Sequence, residues 1–143
     1  MISQTVLIAS GAFDQLSAQH VGKAIARGLD ASGFQTDVCP IVSEDDPPED
    51  VRAMLGALDF DARMLRARAV VLAERHLAER ALTASPVFEI ATRARQAGVP
   101  AYAVAGKNLL DPFDARILDL QVILEASSAR ALTAAGRRLA ELV

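Results

Sequence analysis

The sequence has no tryptophan, one tyrosine and five phenylalanines in 143 residues, too few rings to build the stacking platforms on which single-stranded nucleic acids lie. Lysine is also scarce, two against thirteen arginines, and these fifteen cations are interleaved with eighteen acids for a net charge of −3. A groove for a phosphate backbone needs clustered cations, so nucleic acid is excluded as a partner. One cysteine, Cys39, and two histidines, His20 and His76, provide neither an internal disulfide nor zinc-ligand spacing. Cys39 lies in an apolar run, as a core thiol does in a reducing compartment. The segment Met1-Ile2-Ser3-Gln4 lacks a charged n-region and a long h-region, and no apolar stretch approaches the roughly 20 residues that span a bilayer. These absences predict a cytoplasmic protein without membrane contact. Neither GxxxxGK[ST] nor GxGxxG occurs, which removes the P-loop and the dinucleotide fingerprint.

What is present is a 52% hydrophobic chain near the modal size of one domain. The segment from Ala91 to Gly106 is the most informative. It reads as a helix, a Gly98-Val99-Pro100 break, a buried strand Ala101-Tyr102-Ala103-Val104, and a glycine where the strand stops. That is the return half of a right-handed βαβ unit. Further strands are predicted at Thr5–Ala9, Thr36–Val42, Ala69–Ala73 and Gln121–Leu124. Helices follow Ser17, Glu49, Asp61, Ser85-Pro86, Asp111-Pro112 and Ser127 or Ser128. Five strands alternating with helices predict a single three-layer α/β domain over residues 1–143, with a five-stranded parallel sheet in the flavodoxin-like, Rossmann-like order 2-1-3-4-5.

Ligands of such sheets bind beyond the carboxyl ends of the strands, at the switch between strands one and three. Ser10, Gly11, Ser43, Glu74, Gly106 and Lys107 are therefore expected to rim a pocket. Lys107, with Asn108 beside it, follows a strand-terminal glycine and offers a point charge to an anion; it reads equally as a loop cation. Glu74-Arg75-His76 would bind an anion or move a proton, or simply open a surface helix. Asp45 and Asp46, with Glu44, offer oxygen ligands to Mg²⁺, although a proline-flanked acidic loop also reads as a solvated turn. His20 falls in the first turn of a helix whose core positions are filled, which reads as an exposed role.

Three segments carry a resemblance to bacterial glycerate kinases. Val6-Leu7-Ile8-Ala9 with Phe13, Leu16-Ser17-Ala18 and Ala24-Ile25-Ala26-Arg27-Gly28-Leu29 resembles that family's opening. Val70-Val71-Leu72-Ala73-Glu74 followed by Leu77 and Pro86 is similar to a glycine-rich acidic stretch. Ala94 to Gly106 is similar to its RAKxxGVPVIALAG run. The resemblance implies ATP-dependent phosphorylation of a small hydroxy acid with ATP and Mg²⁺ as cofactors, and Glu74 is the residue that survives of its glycine-glutamate-glycine trio. The strand-end reading adds Lys107 beside Glu74 as catalytic candidates, Ser10, Gly11, Ser43, His76, Gly106 and Asn108 as ligand contacts, and Asp45 and Asp46 on the metal.

The family's sheet domain is interrupted by a second domain, and this chain resembles the first with the second excised between Val42 and Arg68. Gly11 and Asp14 stand where the family has Asp and Lys, and Ala73 and Arg75 replace two glycines of a trio. Phosphoryl transfer needs cations, carboxylates and glycines that admit phosphate, so the resemblance implies a catalytically incomplete kinase-like transferase, or pseudoenzyme. The alternatives are an anion-binding module and a non-enzymatic homo-oligomeric interaction protein. Leu109, Leu110, Phe113, Ile117 and Leu118 crowd one short segment, which predicts an apolar patch and a homodimer.

Overall fold

Val6, Leu7, Ile8 and Ala9 are all fully buried, and a run apolar on both sides can lie only in a sheet covered on both faces. A computed structural model describes residues 3–41, 50–82 and 85–143. Its strands are β1 (Thr5–Ser10), β2 (Gln35–Pro40), β3 (Ala69–Leu77), β4 (Ala101–Asn108) and β5 (Ile123–Glu125). They form one sheet in the order β2-β1-β3-β4-β5, every neighbouring pair parallel. The predicted α/β class and strand order are thus those of the protein. Its helices are α1 (Ala18–Ala31), α2 (Val51–Ala57), α3 (Phe60–Leu65), α4 (Pro86–Ala97), α5 (Pro112–Leu118) and α6 (Ala129–Leu142), with a 3₁₀ turn at Glu79–Leu82.

Alternation along the strands divides the core in two. Val6, Ile8, Val71, Ala73 and Val104 pack against Val21, Ile25 and Leu29 of α1 and Leu132 and Leu139 of α6. Leu7, Ala9, Val70, Leu72 and Ala103 face Leu55, Phe60, Met64, Ile90 and Leu118 of the other four helices. Polar caps set the helix starts: the Ser17, Ser85 and Ser128 hydroxyls accept from the backbone N–H groups of His20, Phe88 and Ala131. Gly98, at φ 72°, ends α4 in the left-handed region and turns the chain into β4.

Helices α1 and α6 touch backbone to backbone. A Cβ on Gly28 would lie 2.1 Å from the Thr133 carbonyl oxygen, and one on Gly136 would lie 2.2 Å from that of Ile25. The Thr133 hydroxyl, buried in this seam, donates to the Ala24 carbonyl at 2.8 Å. Across the sheet, Arg63 anchors α3 to the edge strand β2 through a two-pronged pair with Asp37, at 3.0 and 2.6 Å, and also donates to the carbonyls of Leu58 and Val38. The Asp37 hydrogen bond holds the Arg63 proton more tightly than usual. Next to this pair, burial pushes the Cys39 thiol up, the Arg63 charge opposes that and Asp37 adds to it. Cys39 is therefore a neutral core thiol at ordinary pH rather than a nucleophile.

The main departure from the sequence reading is the length of β3 and β4. They run to Leu77 and Asn108 rather than stopping at Ala73 and Ala105, and they pair beyond the end of β1, with Glu74 opposite Ala105 and His76 opposite Lys107. Glu-Arg-His read as the opening of a surface helix and Gly-Lys-Asn as loop, but mutual pairing satisfies their backbones as strand. No helix among the described residues is long and apolar enough to cross a membrane.

Candidate functional site

The protruding β3–β4 ribbon forms one wall of a cavity of about 230 Å³ at the carboxyl edge of the sheet, lined by Phe13, Asp14, Arg75, His76, Gly106, Lys107 and Ser127. Four segments meet there: the β1–α1 loop, the ends of β3 and β4, and the β5–α6 loop. This is the crevice where an open parallel sheet admits ligands. The β1–α1 loop folds back on itself. Phe13 and Leu16 exchange backbone hydrogen bonds at 2.9 and 3.2 Å, and Gly11 N–H donates to the Ala73 carbonyl. Asp14, thus presented, forms an ion pair with Arg75 across the mouth. Lys107 is exposed and has no ion pair among the described residues. The mouth therefore holds a cationic Lys107, a partly neutralised Arg75, the His76 imidazole and the Ser127 hydroxyl.

Of the candidate site residues, His76 and the two expected rim residues Gly106 and Lys107 come together in this cavity. Ser10, Gly11 and Glu74 lie beneath it. Ser10 is fully buried and donates to the Ala18 carbonyl at 2.7 Å, which locks β1 to the start of α1. Glu74 is 3% exposed, and its carboxyl oxygens lie 3.0 and 3.2 Å from where a Cβ on Gly11 would stand. Asn108 serves its own turn: its N–H donates to Glu125 Oε2 and its Oδ1 accepts from the Leu110 N–H. Ser43, Asp45 and Asp46 lie outside the described residues. Among those described, no group of three or more His, Cys, Asp or Glu side chains could hold a metal ion.

Asp14 and Ser127 line the cavity although the sequence marked neither as a ligand contact. Asp14 read as a substituted loop position and Ser127 as a possible helix cap, a task that Ser128 performs. Both follow carboxyl ends of strands, and that rule, applied to every strand, finds them.

No known family model matches the sequence, and no curated protein does. Among solved structures, a diflavin flavoprotein A3 from Nostoc sp. is similar, with a TM-score of 0.49 and 16% identity over 96% of this chain and 90% of that one. The resemblance to glycerate kinases is corrected by these findings: nothing supports that family, its phosphorylation reaction, or the kinase and transferase description. ATP and Mg²⁺, implied by that resemblance alone, fall with it as cofactors.

The physical reasons are visible in the fold. Ala73-Glu74-Arg75, aligned with a glycine-rich phosphate cradle, are interior residues of β3 with Ala73 fully buried. The Gly98–Gly106 likeness records what any helix needs to turn into a buried parallel strand: a left-handed glycine, a proline and a small apolar run.

Proposed function

We propose that the protein binds a small organic anion, a carboxylate or phosphate ester, in the cavity between the β1–α1 loop and the β3–β4 ribbon. The observation that carries this reading is the convergence of Lys107, Arg75 and His76 on one small crevice at the β1/β3 switch. The Asp14–Arg75 pair gives the crevice a built-in exchange: an incoming carboxylate takes the guanidinium from Asp14 and reproduces its geometry. The single buried thiol fits a reducing cytoplasm as the setting.

A flavin mononucleotide fits this crevice poorly. In this strand order its phosphate belongs in the β1–α1 loop. Here the N–H groups of Gly11, Phe13 and Leu16 are spent on carbonyls, Ser17 Oγ is taken by His20, and Asp14 and Glu74 put carboxyl groups beside the loop. Calorimetric titration with lactate, malate, phosphate and FMN tests the proposal. At least one small anion is expected to bind with a Kd below about 1 mM, and Lys107→Gln to weaken it about tenfold or more with an unchanged melting temperature. Binding of FMN alone, or small-anion binding that Lys107→Gln leaves intact, overturns the reading.

We also infer that the protein self-associates through α5. Phe113 and Ile117, one turn apart, are 74% and 43% exposed, and Leu109 just before them is 53% exposed. The patch is smaller than the sequence suggested, since Leu118 is buried and Leu110 packs against the core. Cyclic dimers are the commonest closed assembly for such a patch. Light scattering is expected to give about twice the chain mass of 15.2 kDa and Phe113→Asp to return the monomer; a wild-type monomer at about 100 μM overturns it.

A further inference from the structure

A different cation cluster lies on the α1–α6 pair, in a groove that shares no lining residue with the strand-end cavity. Arg27 of α1 and Arg130 and Arg137 of α6 line one open groove of about 470 Å³, floored by Ala129 and Thr133. The groove is a consequence of the glycine seam. Because Gly28 and Gly136 let the two backbones touch, side chains from both helices overlook the same space. None of the three guanidiniums is in an ion pair among the described residues. The neighbouring exposed acids are engaged elsewhere: Asp30 accepts from the Thr36 hydroxyl and Glu141 pairs with Arg138. Lys23, one turn before Arg27, adds a further exposed cation to the same helix.

Three like charges around one groove repel one another, and a multivalent anion reverses the sign of that interaction. The planar guanidinium fork matches phosphate oxygens two at a time, which a lysine cluster does not. No aromatic side chain lines the groove, so a nucleic-acid base has nothing to stack on. No large apolar residue lines it either, which disfavours insertion into a bilayer.

We propose that the groove of Arg27, Arg130 and Arg137 is a second binding site, for a compact soluble anion carrying two or more phosphate groups. It does not depend on the strand-end cavity, and the two are separable by substitution. Calorimetry at about 50 mM salt with inorganic pyrophosphate and tripolyphosphate tests it, since such contacts weaken steeply with ionic strength. The expected result is a site with a Kd below about 0.1 mM, tighter for tripolyphosphate and distinct from any weaker binding at the strand-end cavity, with Arg137→Gln and Arg130→Gln each weakening it about tenfold and the double variant abolishing it. All three side chains are exposed, so these variants should melt with the wild type. Lys107→Gln is expected to leave this binding unchanged. No pyrophosphate or tripolyphosphate binding at 1 mM, or binding lost with Lys107→Gln instead, overturns the proposal. So does binding to phosphatidylglycerol vesicles without binding to either soluble phosphate, since it assigns the arginines to a membrane surface.

Discussion

Gly28→Ala is expected to lower the unfolding free energy by about 3 kcal/mol and the melting temperature by about 10 °C. The added Cβ meets the Thr133 carbonyl oxygen at 2.1 Å and the Arg137 nitrogen at 2.6 Å, and both are backbone atoms that no rotamer change can move. The two helices must part. Parting them strains the Thr133–Ala24 hydrogen bond and opens space beside Ile25 and Leu132, both fully buried. A glycine-to-alanine change inside a helix otherwise favours folding by roughly 1 kcal/mol, so the measured loss is the clash minus that gain. Gly136→Ala, facing the Ile25 carbonyl at 2.2 Å, should behave alike. Gly56 in α2 is the control: nothing lies within 4 Å of its Cβ position, and Gly56→Ala should stabilise by about 0.5–1 kcal/mol. Urea melts of the three variants decide the matter. A loss below 1 kcal/mol for Gly28→Ala would show that the helices slide apart without cost.

That seam was not legible in the sequence, whereas the sheet was. Thr5–Ala9 and Ala101–Ala105 are apolar on both faces and bounded by caps and glycines, a local pattern that fixes a buried parallel strand whatever surrounds it. Ser17, Ser85-Pro86 and Gly98 are local signals too, and they placed the helix ends. Gly28 and Gly136 are 108 positions apart and look like ordinary small residues until the helices are packed. The arginine groove fails for the same reason: Arg27 stands 103 positions before Arg130, and only the fold brings it beside the arginines of α6.

At the candidate site the strand-end rule found the region but misplaced its parts. It treated Glu74 and Ser10 as rim residues because each ends an apolar run. Yet β3 continues past Glu74 under cover of the β1–α1 loop, and the Ser10 hydroxyl turns inward to Ala18. The kinase resemblance misled for a related reason. It weighted the Gly98–Gly106 run, whose residues answer to the turn and the sheet and carry no chemistry.

Gly106→Ala is expected to cost about 2 kcal/mol and to abolish small-anion binding together with the order of the ribbon. A Cβ there would stand 2.5 Å from the Arg75 carbonyl oxygen, again a backbone atom. The contact falls between the paired positions Glu74–Ala105 and His76–Lys107, so relief of the clash must separate β3 from β4 at the point where Arg75, His76 and Lys107 are held. Beyond it the ribbon is closed by the Leu109 N–H donating to the Leu77 carbonyl at 2.8 Å. Loss of this closure should appear as faster hydrogen exchange at Leu109 and Lys107, while the amides of Val71 and Ala103 stay protected in the core. The contrast with Lys107→Gln separates charge from scaffold. Removing the ammonium should weaken binding at unchanged stability, and adding one methyl at Gly106 should lower both. If Gly106→Ala kept the wild-type melting temperature and its protection at Leu109, the close approach would be a feature the ribbon can relax, and the site would owe its geometry to the β1–α1 loop instead.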